Sequence, residues 1–155
     1  MTTVERKVSY SGFRFSVALL TNENGSLGPL RGHNLDTTFT FVLEGEERLP
    51  DIHKWLDRIT KFLDHRTVVA RDQPGLTLAE EGETLTLGWL DSRVSLPKDE
   101  VCVLPLPDTQ VWSILGHLGQ VVLDAWELPA RVAELVVGAT DLPYRQYEVR
   151  VRPTG

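Results

Sequence analysis

Leu30-Arg31-Gly32-His33-Asn34 runs straight into Leu35-Asp36-Thr37-Thr38-Phe39-Thr40-Phe41-Val42-Leu43-Glu44, and the reading of this stretch decides the reading of the chain. Thr, Phe and Val dominate Asn34 to Glu44, with Phe39, Phe41 and Leu43 alternating onto one side, which predicts a half-buried strand ended by Glu44-Gly45-Glu46-Glu47. Helical spacing takes over at Pro50-Asp51. Ile52, Trp55, Leu56, Ile59, Phe62 and Leu63 recur at intervals of three and four, so an amphipathic helix is expected with Leu63-Asp64-His65 at its end.

Upstream, Lys7 to Leu20 alternates through Val8, Tyr10, Phe13 and Phe15, a strand bent near Ser11-Gly12, and the turn-forming composition of Thr21 to Pro29 predicts a loop. Downstream, Leu76-Leu78, Thr84-Leu87 and Val101-Leu104 read as short extended pieces of a hairpin-like insertion spanning roughly 76–104. A second helix opens near Asp108-Thr109, buries Val111, Ile114, Leu115, Leu118, Val121, Val122, Ala125 and Trp126, and stops at Pro129. Two strands follow, Arg131 to Val137 and Tyr144 to Arg152, the latter with Tyr147, Val149 and Val151 on one side. Strands are segregated from helices, which is an α+β order, and one domain covers 1–155.

The 155 residues are 41% hydrophobic and 25% charged, enough for one core. Sixteen basic against 22 acidic residues give a net charge of −6 with no basic stripe, which argues against nucleic acid as a partner. No apolar run reaches the roughly 20 residues that span a bilayer, and Met1 to Lys7 is polar. The expectation is a cytoplasmic protein with no membrane contact. Cys102 is the sole cysteine, so neither an internal disulfide nor a cysteine-rich metal cage can form, and its apolar neighbours suggest a buried thiol.

The Leu30–Asn34 segment and Leu63-Asp64-His65 resemble the Leu-His-Gly-His-Asn and later Leu-Asp-His segments of the 6-pyruvoyltetrahydropterin synthase and 6-carboxytetrahydropterin synthase family, and the resemblance covers nearly the whole chain. It implies the tunnelling fold, a four-stranded antiparallel sheet with two helices on one face. It also implies a homo-oligomer whose sheets join into a barrel, with the active site at a subunit interface. Three histidines hold zinc in that family. Carried over, Phe15-Ser16-Val17-Ala18-Leu19 puts Leu19 at the first ligand position, Arg31 takes the second, and His33 alone survives. The family's catalytic cysteine has no counterpart between Thr21 and Leu30. Its pterin-anchoring glutamate maps to Ala139, and a polar residue at the start of the second helix maps to Trp112.

A guanidinium has no lone pair for a metal, so the expected metal set is none, and no cofactor is expected. Asp64 and His65 survive as the family's proton relay, and C-terminal helix carbonyls together with Asp64 would stabilise an imidazolium. His65 could equally cap those carbonyls. Arg31 could clamp an anion where a cation once sat, or pair with Glu23 or Asp36. His33 lines a pocket or makes a structural hydrogen bond, and Trp112 lies near the pocket. The leading expectation is a metal-independent lyase, isomerase or cyclase acting on a small anionic substrate in a specialised pathway, with Asp64 and His65 catalytic and Arg31, His33 and Trp112 binding substrate. The alternatives are a non-catalytic tunnelling-fold binding or assembly protein and, third, a zinc-dependent pterin synthase. His53 and His117 are expected to pack or be solvated.

Overall fold

The computed structural model describes residues 5–23, 26–46, 48–125, 131–141 and 145–153. Strands β1 (Glu5–Glu23) and β2 (Ser26–Glu44) form a long antiparallel hairpin, followed by helix α1 (His53–Lys61) and strand β3 (Arg66–Ala70). Strands β4 (Leu76–Glu81), β5 (Thr84–Trp89) and β6 (Ser92–Pro97) come next, then β7 (Val101–Leu104), helix α2 (Val111–Ala125), β8 (Arg131–Asp141) and β9 (Arg145–Val151). The main sheet has the order β7-β3-β1-β2-β8-β9, and β4-β5-β6 make a separate three-stranded sheet.

The expected four-stranded antiparallel unit is β1-β2-β8-β9. It is extended by two strands. Arg66–Ala70, which the sequence pattern left unassigned, pairs in parallel with β1, and Val101–Leu104 pairs in parallel with β3. The insertion is therefore shorter than expected: Val101–Leu104 belongs to the main sheet, and 76–97 form a meander rather than a single hairpin. That meander packs back through Leu85 and Leu87 against Leu20, Val69 and Val101. The loop expected over Thr21 to Pro29 is largely strand, because β1 and β2 stay paired out to Glu23↔Ser26.

Alternation along the strands separates the sheet into two faces. Phe13, Phe15, Val17, Leu19, Leu35, Phe39, Phe41, Leu43, Leu135 and Val137 are buried beneath the helices. The opposite face carries polar side chains such as Ser9 and Thr40, joined at 2.8 Å, and Glu134, which accepts from Arg150 and Arg152. The bend expected at Ser11-Gly12 is a bulge between Tyr10 and Phe13, with Gly12 at φ +89°. Without that extra residue the parity of β1 would not bring both Tyr10 and Phe13 to the core.

Helix α1 ends at Lys61, earlier than its apolar spacing suggested. Phe62 consequently leaves the buried stripe, is 57% exposed, and carries the Arg66 guanidinium 4.9 Å from its ring centre. In α2 the inward residues Val111, Ile114, Leu115, Leu118 and Val122 are buried as expected, whereas Val121 is half-buried and Ala125 exposed. Among the described residues neither Asp108 nor Thr109 bonds a backbone N–H inside the helix: Asp108 accepts from Gln110 N–H at 3.1 Å and from the Ser113 hydroxyl at 2.6 Å, ordering the turn that leads in, and Thr109 donates to Leu20 O at 3.0 Å. Gly119 lets this helix lie against the sheet: a methyl group there would come within 2.8 Å of Val151 Cγ2. Burial of Trp126, the stop at Pro129, the start at Tyr144, the Asn24-Gly25 turn and Glu47 lie outside the described residues.

Among the described residues Thr37 is fully buried and its hydroxyl has no hydrogen-bond partner. A buried hydroxyl without a partner costs about 1–3 kcal/mol. Thr37→Val, which keeps the β-branched shape, should therefore raise stability by about 1 kcal/mol, seen as a higher urea midpoint at unchanged slope.

Candidate functional site

The register of β1 with β2 brings Leu19, Arg31 and His33, the positions that the sequence resemblance aligns with metal ligands, close together. Leu19 pairs with Arg31 and Val17 with His33, so Leu19, Arg31 and His33 all sit on the helix-covered face. Leu19 is 2% exposed, and Arg31 is exposed. His33 is tied across the sheet to β8, its Nδ1 lying 2.6 Å from Asp141 Oδ2, with side-chain exposures of 18% and 12%. A carboxylate can only accept, so the ring proton is on Nδ1. This donor set does not fit zinc: an aliphatic group and a guanidinium supply no lone pair, and one nitrogen of the remaining imidazole is engaged by Asp141. Among the described residues no group of three or more His, Cys, Asp or Glu side chains is arranged to hold a metal ion.

Asp64 and His65 lie beyond the end of α1, where the chain turns into β3. Both are clasped to a single residue of β1: Ser16 N–H donates to Asp64 Oδ1 at 2.7 Å, and His65 N–H donates to Ser16 O at 2.7 Å. The clasp unwinds the chain as direct pairing of neighbours demanded, and His65 takes φ +59°. Its Nε2 lies 3.6 Å from Asp64 Oδ2, with side-chain exposures of 82% for His65 and 23% for Asp64.

Two grooves flank this turn. One of about 430 Å³ is lined by Ser16, Gly32, His33, Asn34, His65 and Arg66, among others. A second of about 340 Å³ includes Arg14, Asp36, Asp64 and His65. Ser16 donates its hydroxyl to Asn34 Oδ1 at 2.6 Å, which places these side chains on the open face of the sheet, opposite Leu35. His65 thus borders the open face, while the His33 and Asp141 side chains belong to the helix-covered face. Both histidines nevertheless contribute to the lining of the larger groove, His33 from a position whose ring is turned toward Asp141. Asp36 also faces the open side and binds Arg14 at 3.3 Å, so it is not placed to neutralise Arg31 across the strand; the Glu23 side chain lies outside the described residues.

Trp112 stands in the first turn of α2, 54% exposed, its ring 6.3 Å from that of Tyr147 on β9. It lines neither groove around His65. Ala139 is buried between Thr37 on β2 and Tyr147 on β9, so no carboxylate is present there to receive a guanidine-like ring edge. Cys102 is buried, and burial pushes its thiol up, with Arg66 partly opposing, which makes it a core residue rather than a nucleophile. His53 stacks 4.7 Å from Phe13, and burial between the helices pushes His117 down. Sequence reasoning missed Asp141 and Ser16. Asp141 had a signal: it continues the inward phase of Leu135, Val137 and Ala139 as a charged residue, a position that requires a partner.

No protein-family model matches the chain, and no curated protein sequence does. Solved structures do. The chain superposes on the crystal structure of 6-pyruvoyl tetrahydropterin synthase from Plasmodium vivax with a TM-score of 0.81 at 19% identity, covering 96% of this chain and 99% of that one. A catalytic-residue mutant of the same enzyme, with alanine in place of glutamate, gives the same figures. The Plasmodium falciparum 6-pyruvoyl tetrahydropterin synthase matches at TM-score 0.75 and 17% identity over 96% of this chain and 98% of that one. The chain therefore has the fold of the 6-pyruvoyltetrahydropterin synthases, the tunnelling fold expected from its motifs.

The clasp at Ser16 is testable through stability. Asp64→Ala should cost about 1.5–3 kcal/mol in urea denaturation, the range for a hydrogen bond to a charged acceptor. At position 65 the left-handed backbone should make His65→Gly more stable than His65→Ala by about 1 kcal/mol.

Proposed function

We propose that this chain is a divergent member of the 6-pyruvoyltetrahydropterin synthase family that works without zinc, as a lyase, isomerase or cyclase on a small anionic molecule. The observation that carries the proposal is the contrast between two sites of one scaffold. The metal positions hold Leu19 and Arg31, which cannot coordinate, whereas Asp64 and His65 keep a paired carboxylate and imidazole anchored by two backbone hydrogen bonds. An oriented acid–base pair on a fixed turn is what proton transfer needs.

In this reading His65 moves the proton and Asp64 orients it. Arg31 supplies permanent positive charge to a carboxylate, enolate or phosphate, the service a metal would otherwise provide. His33 contacts the substrate, and Trp112, which lines neither groove of its own protomer, would reach it from a neighbouring subunit. Because His65 and His33 serve opposite faces of one sheet, the substrate would lie where two subunits meet in a homo-oligomer, which would also cover the sheet edges at β7 and β9. No described helix is long and apolar enough to cross a membrane, and the net charge of −6 gives no footprint for nucleic acid. The burial of Leu19 and Ala139 favours a second reading, a non-catalytic binding or assembly subunit whose pocket has closed.

Two measurements test this. Elemental analysis of protein purified without added metal should find well below one zinc per chain; a stoichiometric, tightly held zinc overturns the metal-free reading. Incubation with a small-molecule cell extract, followed by mass spectrometry, should show a metabolite consumed by the natural chain but spared by His65→Ala and by Arg31→Ala. Equal consumption by both variants removes these residues from the chemistry.

A further inference from the structure

We propose that His33 and Asp141 form a proton-transfer dyad, in which Asp141 holds the Nδ1–H and Nε2 exchanges a proton with an acidic C–H or O–H of a bound anion. The contact at 2.6 Å joins residues 108 positions apart and is slightly shorter than the about 2.7–2.9 Å usual for a charge-assisted N–H···O bond. It is also better shielded than the Asp64–His65 pair, with exposures of 18% and 12% against 82% and 23%. Shielding matters, because a hydrogen bond is electrostatically stronger where water is partly excluded and so holds the ring's orientation more firmly.

The geometry assigns one role to each ring nitrogen. With the proton on Nδ1 directed at Asp141, the lone pair is on Nε2, at the far side of the ring and free of that carboxylate. Nε2 takes the proton as the substrate C–H or O–H bond breaks, the electron pair stays on the substrate as enolate or alkoxide, and the imidazolium returns the same proton when product forms. No oxidant, reductant or second substrate is consumed. The surroundings suit an anion: Arg31 lies two residues from His33 on the same face of β2, and Arg145 pairs with Asp141 in the register of β8 with β9. The ligand class is a small anion with an acidic proton next to a carbonyl, or a hydroxyl. Asp141 acts through His33 and is a positioning residue.

The inference rests on the metal-free reading, since a metal on His33 would occupy a ring nitrogen, but its test is separate from zinc content and from turnover. The full chain, labelled with nitrogen-15, is examined by long-range proton–nitrogen correlation at neutral pH. It is then treated with diethyl pyrocarbonate, which acylates an unprotonated, accessible imidazole nitrogen, and the modified peptides are read by mass spectrometry. The expected result is His33 as the Nδ1–H tautomer and acylated at Nε2, with loss of the tautomer preference and slower acylation in Asp141→Asn, and recovery of both in Asp141→Glu. An Nε2–H tautomer in the natural chain, or a His33 that resists acylation, overturns the dyad, and neither observation needs a variant to fold. So does an Asp141→Asn protein that melts earlier yet keeps the tautomer and rate, because a bond that only ties β2 to β8 predicts that outcome.

Discussion

The antiparallel register of β1 with β2 is the constraint on which the rest depends. Two strands of 19 residues each pair from Glu5↔Glu44 to Glu23↔Ser26, and side chains alternate between faces with a period of two. A slip of one residue would send Phe13, Phe15, Leu35 and Phe41 to the open face and bring Arg14, Ser16 and Asp36 into the core. The bulge at Gly12 is part of this constraint, since it changes parity midway and lets Val8 and Tyr10 share the covered face with Phe13 and Phe15. The placement of Leu19, Arg31 and His33 on one face is a consequence of the same pairing, as is the exclusion of Ser16 and Asn34 from it.

The scaffold can tolerate changes of side-chain chemistry at its rim because folding depends mainly on the core. The core is built from Phe, Leu, Val and Ile on strands and helices, Arg31 and His65 are not among its residues, and burial of that apolar surface is the main driving term. A TM-score of 0.81 at 19% identity is the expected signature: the layers and their connections persist, while the residues that would bind a ligand are free to differ. At its rim this chain has a carboxylate–imidazole bond running from β2 to β8 and a guanidinium two residues away.

The two histidines of interest are held by different means. His65 gets its position from backbone bonds to Ser16 and a left-handed turn, leaving its ring in solvent, whereas His33 gets its orientation from the Asp141 side chain within the sheet. Backbone anchoring fixes where a side chain starts but not where its ring points. A short side-chain bond fixes the ring and its tautomer together. The first arrangement suits a group that meets its ligand from a neighbouring surface, and the second suits a group set in place beforehand.

Much of this was legible in the residues alone. The alternation of Phe39, Phe41 and Leu43, the three-and-four spacing of both helices and the Leu-Arg-Gly-His-Asn motif determined the α+β layers and the covered face and showed that Leu19 and Arg31 offer no lone pair, because periodicity and donor chemistry are local properties. Other features depended on contacts across the sheet. That Arg66–Ala70 and Val101–Leu104 widen the sheet, that α1 releases Phe62 to solvent, that Asp141 holds His33, and that His65 and His33 lie on opposite faces were decided only by tertiary structure. Parallel pairing, and a hydrogen bond between residues 108 apart, leave no periodic trace in the chain. They exist because strands distant in sequence are brought within about 5 Å of each other.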